Sequence, residues 1–293
     1  MTESESSRLE PEDFLFDSLQ TLYDYQPITL TTTGAPFSYT FHPSSKLHRP
    51  VDGHTTQSFT ASLKTPDTDA ANWDLHASSI WASSVYLSDH VYDLDLETHI
   101  KSAPPSDPIR ILELGASAGL PSIVVAKLHP DAWVISTDYP DKTLIQTLSE
   151  NVESNGVSER CRVFPFAWGT DPSSILYESK RFDVIIAADT LWNPDLHTIF
   201  IHALKSTLKK SPTARVHLVV GLHTGRYTID AFLRQVLESG FELESIEERE
   251  RLGSSTRDWW LWRAEDDKER RRWVIWIQLK WNKSEIELYK GKE

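Results

Sequence analysis

From about Pro108 onward, short apolar runs alternate with segments whose apolar residues recur at helical spacing. The apolar runs predict buried strands over Ile109–Leu114, Ala132–Thr137, Cys161–Phe166, Phe182–Ala187 and Val216–Leu222. The segments between and after them predict helices over Leu120–Leu128, Thr143–Ser154, Leu196–Leu208 and Ile229–Ser239. This alternation predicts an α/β fold in which helices cover a parallel sheet.

The pattern changes after Gly240. Phe241–Glu248 and Trp273–Lys280 predict two further strands with no clear amphipathic helix between them. Because a parallel pair usually needs a helical crossover, these strands are expected to form an antiparallel hairpin. The prediction is a Rossmann-like seven-stranded sheet of five parallel strands plus a C-terminal antiparallel hairpin, flanked by helices.

The chain before this sheet is harder to interpret. Ile28–Thr32 and Phe37–Phe41 flank a Gly34-containing turn and predict a β-hairpin, Phe59–Leu63 predicts another strand, and His76–Leu87 predicts a helix. The predicted organisation is an acidic, β-containing N-terminal extension over residues 1–75, a main domain over 76–282 and a charged tail over 283–293. We expect the tail to form a short exposed helix.

Charge is unevenly distributed along the chain. The net charge is −13, and residues 1–107 carry 16 acidic against five basic residues, a net charge of −11. An acidic surface repels phosphate backbones, so no nucleic-acid partner is expected. It can attract a basic protein, or simply keep the chain soluble.

Other features of composition narrow the class of protein. No apolar run approaches the ~20 residues of a membrane span, and residues 1–12 are too polar and acidic for a targeting signal. Cys161 is the only cysteine, which excludes an internal disulfide and a cysteine-built metal site. We expect a monomer without a metal or a membrane partner, in the cytoplasm or alternatively in the nucleus.

The strongest chemical signal is a glycine turn between the first strand and the first helix of the sheet. Gly115 and Gly119 let the backbone approach a ligand closely, and the helix N-terminus offers free N–H groups. A dinucleotide-binding turn would need glycines where Ser117 and Leu120 stand. Glu113 would also repel a pyrophosphate. The same carboxylate suits a ligand with a cationic amino group and no phosphate, such as S-adenosylmethionine.

The next strands supply compatible residues at their carboxyl ends. Asp138 ends the second strand roughly twenty residues beyond the glycine turn, where a carboxylate can bind ribose hydroxyls. Trp168 follows the third strand and can pack on adenine, although core packing is the alternative. Trp81 has the same two interpretations. Asp189 follows the fourth strand, beside the expected methyl group, or else caps the next helix.

A hydrolytic interpretation is a distant alternative. Residues 115–119 match the G-x-S-x-G nucleophile elbow, and Asp189 and His223 follow Ser117 in the required order. However, no His-Gly-Gly oxyanion loop precedes the motif. The motif also lies after the first strand, whereas hydrolases place it after several strands.

The chain resembles the seven-strand protein N-methyltransferases that act mostly on lysines of translation factors and chaperones. Within that family it resembles a fungal branch labelled nicotinamide N-methyltransferase-like. The resemblance covers about Trp81 to Lys280. It is carried by Trp81, Leu112-Glu113-Leu114-Gly115-Ala116, Gly119-Leu120-Pro121, Thr137-Asp138-Tyr139-Pro140, Ala167-Trp168-Gly169 and Ala188-Asp189.

The resemblance implies S-adenosylmethionine as cofactor and assigns site residues. Its cofactor site would be lined by Trp81, Gly115, Ala116, Ser117, Asp138, Trp168 and Ala188. Many family members carry an Asp-x-x-Tyr motif, but here Trp192 follows Asp189 in the Tyr position. An aromatic face for an amine is kept, and the phenol hydroxyl is lost.

The function expected is methylation of a lysine or N-terminal amine of a protein, with Asp189 and Trp192 acting on the acceptor, and a basic translation-related protein is the partner expected. A small heteroaromatic amine such as nicotinamide is the alternative acceptor. A non-enzymatic binding module is a third class, for which a broken cofactor site would be expected.

Overall fold

The computed structural model describes residues 26–43, 57–104, 106–176 and 180–290. The predicted acidic stretch at residues 1–12 lies outside the described residues. The strands are β1 (Pro36–Phe41), β2 (Phe59–Lys64), β3 (Arg110–Leu114), β4 (Trp133–Asp138), β5 (Cys161–Pro165), β6 (Val184–Ala188), β7 (Arg215–Gly221), β8 (Phe241–Glu250), β9 (Thr256–Asp258) and β10 (Trp273–Trp281). The α-helices are α1 (Ala82–Asp89), α2 (Leu96–Ser102), α3 (Leu120–Leu128), α4 (Lys142–Ser154), α5 (His197–Thr207), α6 (Arg226–Glu238), α7 (Asp267–Arg271) and α8 (Lys283–Lys290).

The main sheet has eight strands in the order β5-β4-β3-β6-β7-β10-β8-β9. The first five of these strands pair in parallel, and β10 lies antiparallel between β7 and β8. The predicted Rossmann-like architecture is therefore confirmed, including the terminal antiparallel pair. The extra strand, β9, is a three-residue Thr-Arg-Asp segment on the outer edge of β8. It carries no apolar alternation that could have predicted it.

The sheet order also shows where a ligand would bind. The chain starts the main sheet at its centre with β3, adds β4 and β5 on one side, and then crosses to add β6 and β7 on the other. Connections leave in opposite directions beyond the carboxyl ends of β3 and β6, which opens a crevice there. Two hydrophobic cores, one on each face of the sheet, hold these strand ends in place.

The predicted N-terminal hairpin is wrong in its pairing. β1 pairs antiparallel with β2, and Thr29 bridges to Trp81 instead. The side chains of β1 and β2 alternate in burial, so that Tyr39 and Phe41 are buried together with Ala61 and Leu63. Through this long-range pairing, β2 packs on α3 and α4. A hairpin of β1 with residues 28–32 would not pair the buried face of β1 with that of β2.

The helix predicted over His76–Leu87 begins later than expected. His76 has φ 51° and ends a 3-10 turn over Ala70–Leu75, and α1 starts only at Ala82. The intervening residues are held extended, because the Ile80 amide donates to Thr31 Oγ1 at 2.9 Å and Leu30 donates to the Ile80 carbonyl at 2.8 Å. The predicted helix in the C-terminal tail is present as α8. In the described part of the chain, every helix is too short or too polar to cross a membrane.

Candidate active site

The glycine turn after β3 has a left-handed backbone conformation, which allows a ligand to approach the chain closely. Gly115, Ser117 and Gly119 all have positive φ, at 72°, 48° and 81°. A Cβ on Gly115 would lie 3.0 Å from Thr190 Cγ2 and 3.4 Å from the Trp168 ring. The absence of a side chain at Gly115 therefore keeps space open between the β3 and β6 ends of the sheet.

Asp138, at the end of β4, is held in place by the backbone. Its Oδ2 accepts the Ser117 N–H at 2.6 Å and its Oδ1 accepts the Tyr139 N–H at 2.7 Å. Burial raises the pKa of Asp138 to about 6, although both N–H groups act against that rise. Each oxygen keeps lone pairs beyond these bonds, so the carboxylate can still accept the two hydroxyls of a ribose.

One cavity at the carboxyl edge of the sheet collects most of the predicted site residues. Its lining includes eight of them, Trp81, Gly115, Ser117, Asp138, Trp168, Ala188, Asp189 and Trp192. The remaining lining residues were not predicted as site residues and are Leu75, His76, Ala77, Tyr139, Phe166, Ala167, Thr190, Leu196 and Ile199. Tyr139 and Thr190 directly follow predicted site residues in the sequence, so their positions alone could have indicated that they line the cavity. Leu75 and His76 reach the cavity from a loop whose position no local pattern indicates.

Three predicted cofactor residues are not among those that line the cavity: Glu113, Ala116 and Gly119. The Ala116 amide donates to the Thr137 carbonyl at 3.0 Å, and Gly119 precedes α3 and packs against Leu148. Both residues therefore determine the shape of the turn, and other residues form the cavity surface.

Glu113 is fully buried beneath the turn. Its Oε2 accepts the Ser122 N–H at 3.1 Å and the Ser122 hydroxyl, with Ser136 Oγ 3.4 Å away. Burial raises the pKa of Glu113 to about 7. Its role in cofactor binding stays a prediction, since the contacts of this carboxylate in the structure are with the first turn of α3 and with β4.

Asp189 lies across the cavity from Asp138 and has φ 52°, a conformation that few non-glycine residues adopt. Its Oδ1 accepts the Gly221 N–H at 2.7 Å. Its Oδ2 is buried and has no hydrogen-bond partner. Buried polar atoms are rarely left unpaired, so this oxygen is a candidate acceptor for a ligand donor.

Aromatic rings surround Asp189. The His76 ring packs edge-on against Trp192, with 4.8 Å between the ring centroids. The His223 ring stacks on Trp81 at 5.6 Å, and its Nε2 lies 4.0 Å from Asp189 Oδ1. A carboxylate set among aromatic faces suits a cationic or hydrogen-bond-donating amine.

The geometry does not assemble the hydrolytic triad. The Ser117 hydroxyl donates to the Ala77 carbonyl at 2.7 Å, with the Ser79 carbonyl at 3.3 Å. The serine proton is thus committed to the loop before α1, and His223 is stacked on Trp81. Ser117 serves to anchor that loop beside the glycine turn.

The residues present fit S-adenosylmethionine in two separate ways. The glycine turn and the Asp138 carboxylate suit a nucleoside, with the Trp168 ring beside Gly115 as an aromatic wall. The far end of the same cavity carries the unpaired Asp189 oxygen for an acceptor. Fold and site together define an S-adenosylmethionine-dependent methyltransferase.

Comparison with known proteins gives the family. A model of the lysine methyltransferase family matches residues 68–239, and the chain therefore belongs to that family. The protein N-terminal and lysine N-methyltransferase efm7 of Schizosaccharomyces pombe is 30% identical over 184 residues, covering 59% of this chain and 69% of that protein. The corresponding EFM7 of Gibberella zeae is 34% identical over 157 residues, covering 47% of this chain and 59% of that protein. Among solved structures, TrmN from Thermus thermophilus aligns with a TM-score of 0.44 and 16% identity, over 67% of this chain and 49% of that chain.

Proposed function

We propose that this methyltransferase transfers the methyl group of S-adenosylmethionine to an amine of a protein, a lysine side chain or an N-terminal amine. The observation that carries the proposal is the unpaired, buried Oδ2 of Asp189, a residue of a cavity whose lining includes Trp81, Trp168 and Trp192. Both types of amine appear in the names of the relatives, which are protein N-terminal and lysine N-methyltransferases.

When bound, S-adenosylmethionine supplies an electrophilic methyl group on a positively charged sulfur. Asp138 and the glycine turn would hold the nucleoside part. Asp189 Oδ2 accepts one N–H of the incoming amine and so leaves the nitrogen lone pair free to attack. This division of the cavity makes proximity and alignment the main contribution of the protein.

The aromatic walls also act on the charge of the acceptor. A lysine must be neutral to attack, and removal from water among Trp81, His76 and Trp192 favours the neutral amine. The Asp189 carboxylate has the opposite effect and favours the ammonium ion. We infer that Asp189 first attracts the cation into the cavity, and that the aromatic surroundings then favour release of its proton to solvent water before the neutral amine attacks.

The acidity of the chain supports a basic protein as the acceptor. The resemblance to methyltransferases of translation factors directs the first search to basic proteins of the translation apparatus. The cytoplasm is the compartment we propose for the reaction.

Asp189→Asn tests whether the Asp189 carboxylate contacts the acceptor amine. The asparagine amide has the same shape and can still accept the Gly221 N–H, but it carries no charge. We expect S-adenosylhomocysteine to bind within about twofold of wild type by calorimetry. We expect transfer of labelled methyl groups to proteins in an extract of cells lacking the enzyme to fall roughly 10- to 100-fold, since a hydrogen bond to a charged group is worth about 1.5–3 kcal/mol. Asp131→Asn, at an exposed acid just before β4 and away from the cavity, is the matched control.

Two results would count against the proposal. If Asp189→Asn transferred methyl groups at the wild-type rate, Asp189 would not contact the acceptor. If wild-type protein labelled nicotinamide and no protein in the extract, the acceptor would be a small heteroaromatic amine.

A further inference from the structure

We propose that an exposed aromatic surface formed by Tyr227, Trp260 and Trp262, here called the tryptophan surface, docks the protein substrate through a segment rich in lysine and arginine. This inference rests on the proposed function, since it requires a protein acceptor. It adds a binding surface outside the cavity, on the connection between β8 and β10.

The tryptophan surface lies at the same edge of the sheet as the cavity. β7 ends at Gly221, and the turn that follows carries His223, whose ring stacks on the cavity residue Trp81. α6 starts three residues later and carries Tyr227, whose ring lies 5.8 Å from that of Trp262. A protein with its acceptor amine in the cavity would therefore meet this surface nearby.

The exposure of these rings is unusual for this chain. Trp260 is 59% exposed, Trp262 69% and Tyr227 67%. Only one other tryptophan of the chain, Trp73, is exposed, and it lies two residues before the cavity residue Leu75. All exposed tryptophans thus occur at the edge that holds the cavity, where large aromatic side chains are typical of interfaces.

A buried ion network holds the connection in position. Arg226 at the start of α6 is 6% exposed and Glu248 on β8 is fully buried. Their side chains pair, with Arg226 Nη2 at 2.9 Å from Glu248 Oε2, and Arg226 Nη2 also reaches Glu265 at 2.7 Å. The Trp260 backbone is bound at both ends, since its carbonyl accepts from Arg226 at 2.8 Å and its N–H donates to Glu248 at 3.2 Å. The rings are therefore presented by a fixed backbone, which lowers the entropy cost of binding.

The charges around this edge favour a basic occupant. Asp74, Asp195 and Asp258 are exposed acids at or next to the cavity rim and the tryptophan surface. The cations beside this surface are engaged within the protein, since Arg226, Arg257 and Arg263 pair with Glu248 or Glu265, and Arg263 also donates to the Asp258 carbonyl at 3.1 Å. Lysine and arginine side chains can stack on tryptophan faces while their charge meets these carboxylates.

The test uses the full chain with Trp260→Ser/Trp262→Ser and a matched pair at the opposite edge of the sheet. The control is Leu288→Ser/Tyr289→Ser on α8, whose side chains are 62% and 41% exposed. Methyl transfer from labelled S-adenosylmethionine into proteins of an extract from cells lacking the enzyme is measured at limiting extract. Binding of S-adenosylhomocysteine is measured alongside by calorimetry.

We expect the double tryptophan variant to lose about tenfold or more of the transfer rate, because tryptophan and tyrosine side chains are among the residues that contribute most to binding at interfaces. Its affinity for S-adenosylhomocysteine should stay within about twofold, and the control pair should transfer at the wild-type rate. Trp260→Phe/Trp262→Phe should restore most of the activity, because the aromatic faces are kept.

An unchanged rate in the double tryptophan variant would overturn the docking proposal and leave the proposed function standing. A wild-type dimer that becomes monomeric in Trp260→Ser/Trp262→Ser by light scattering would also overturn it, because the surface would then bind a second copy of the chain. If wild-type enzyme labels no protein at all, the proposed function fails, and the docking proposal fails with it.

Discussion

At the scale of single residues, the two acids of the cavity are prepared differently by the backbone. Asp138 receives one N–H on each oxygen, from Ser117 and Tyr139. Asp189 receives only the Gly221 N–H and keeps a buried oxygen without a partner. Asp138 is thus held symmetrically by the backbone, whereas Asp189 is held through one oxygen only.

The raised pKa of Asp138 predicts how cofactor affinity depends on pH. Burial raises this pKa to about 6, so the carboxylate of the free enzyme takes up a proton as pH falls below that value. The ionised form, which is the better acceptor for ribose hydroxyls, is then lost. We expect the affinity for S-adenosylhomocysteine to weaken as pH falls from 7.5 to 5.5, measured by calorimetry.

Asp138→Asn is the control for this prediction. Asparagine has the same shape and does not titrate, so its affinity should be weak and nearly independent of pH over the same range. Equal pH profiles for wild type and variant would assign the dependence to another group.

The site could be predicted from sequence where chemistry and chain position coincide, as at Asp138 and Gly115. Contacts made by loops could not be predicted, and His76 shows why: it reaches Trp192 only because residues 76–81 are drawn out against Thr29–Thr31. Glu113 shows a second limit. A residue on a strand buried on both faces gives no signal of whether its side chain faces the cavity or, as here, the helix that follows.

At the scale of elements, the junction between the glycine turn and α3 is tightly packed against α4. Gly119 has φ 81°, and a Cβ there would lie 2.5 Å from Leu148 Cδ1, on a side chain that is fully buried. Gly156, after α4, has φ 69° and nothing within 4 Å of its Cβ position. Alanine variants at these two positions therefore distinguish the stability lost through backbone strain from the stability lost through steric overlap.

We expect Gly156→Ala to destabilise the protein by about 1–2 kcal/mol, the cost of placing alanine in the left-handed region. Gly119→Ala should cost a further ~1–3 kcal/mol, because the added methyl group overpacks a filled core. Urea unfolding followed by circular dichroism measures both. If the two variants lost equal stability, Leu148 would be able to move aside, and the overlap would carry no energy.

The elements differ in how well local pattern predicts them. α3 has the bounds Leu120–Leu128 that its flanking glycine and proline indicate, because both of its ends are set by local residues. The pairing of β1 depends on a strand that begins 18 residues after β1 ends. Such a partner is chosen by burial of Phe41 and Leu63 in the finished fold, and a nearby turn such as that at Gly34 predicts the wrong one.

At the scale of the whole molecule, the two edges of the sheet differ in what they expose. The carboxyl edge carries the cavity, the tryptophan surface and exposed acids such as Asp74 and Asp195. The opposite edge carries α8 and the end of α6, where the Lys210–Glu285 ion pair lies at 2.7 Å. With a net charge of −13, the molecule would attract a basic protein from any direction, and the exposed acids at the carboxyl edge would favour an approach to the cavity.

This distribution predicts that protein methylation is sensitive to salt. Because the Debye length shortens to about 8 Å near 0.15 M and further above it, raising KCl from 50 to 300 mM should slow transfer to extract proteins several-fold. Binding of S-adenosylhomocysteine depends on contacts inside the cavity and should change by less than about twofold. Asp74→Asn/Asp195→Asn should lower the rate at 50 mM KCl and flatten its salt dependence. Glu238→Gln/Glu287→Gln, exposed at the opposite edge, removes the same charge and should do neither; equal effects of the two pairs would mean that net charge alone, without its placement, governs the encounter.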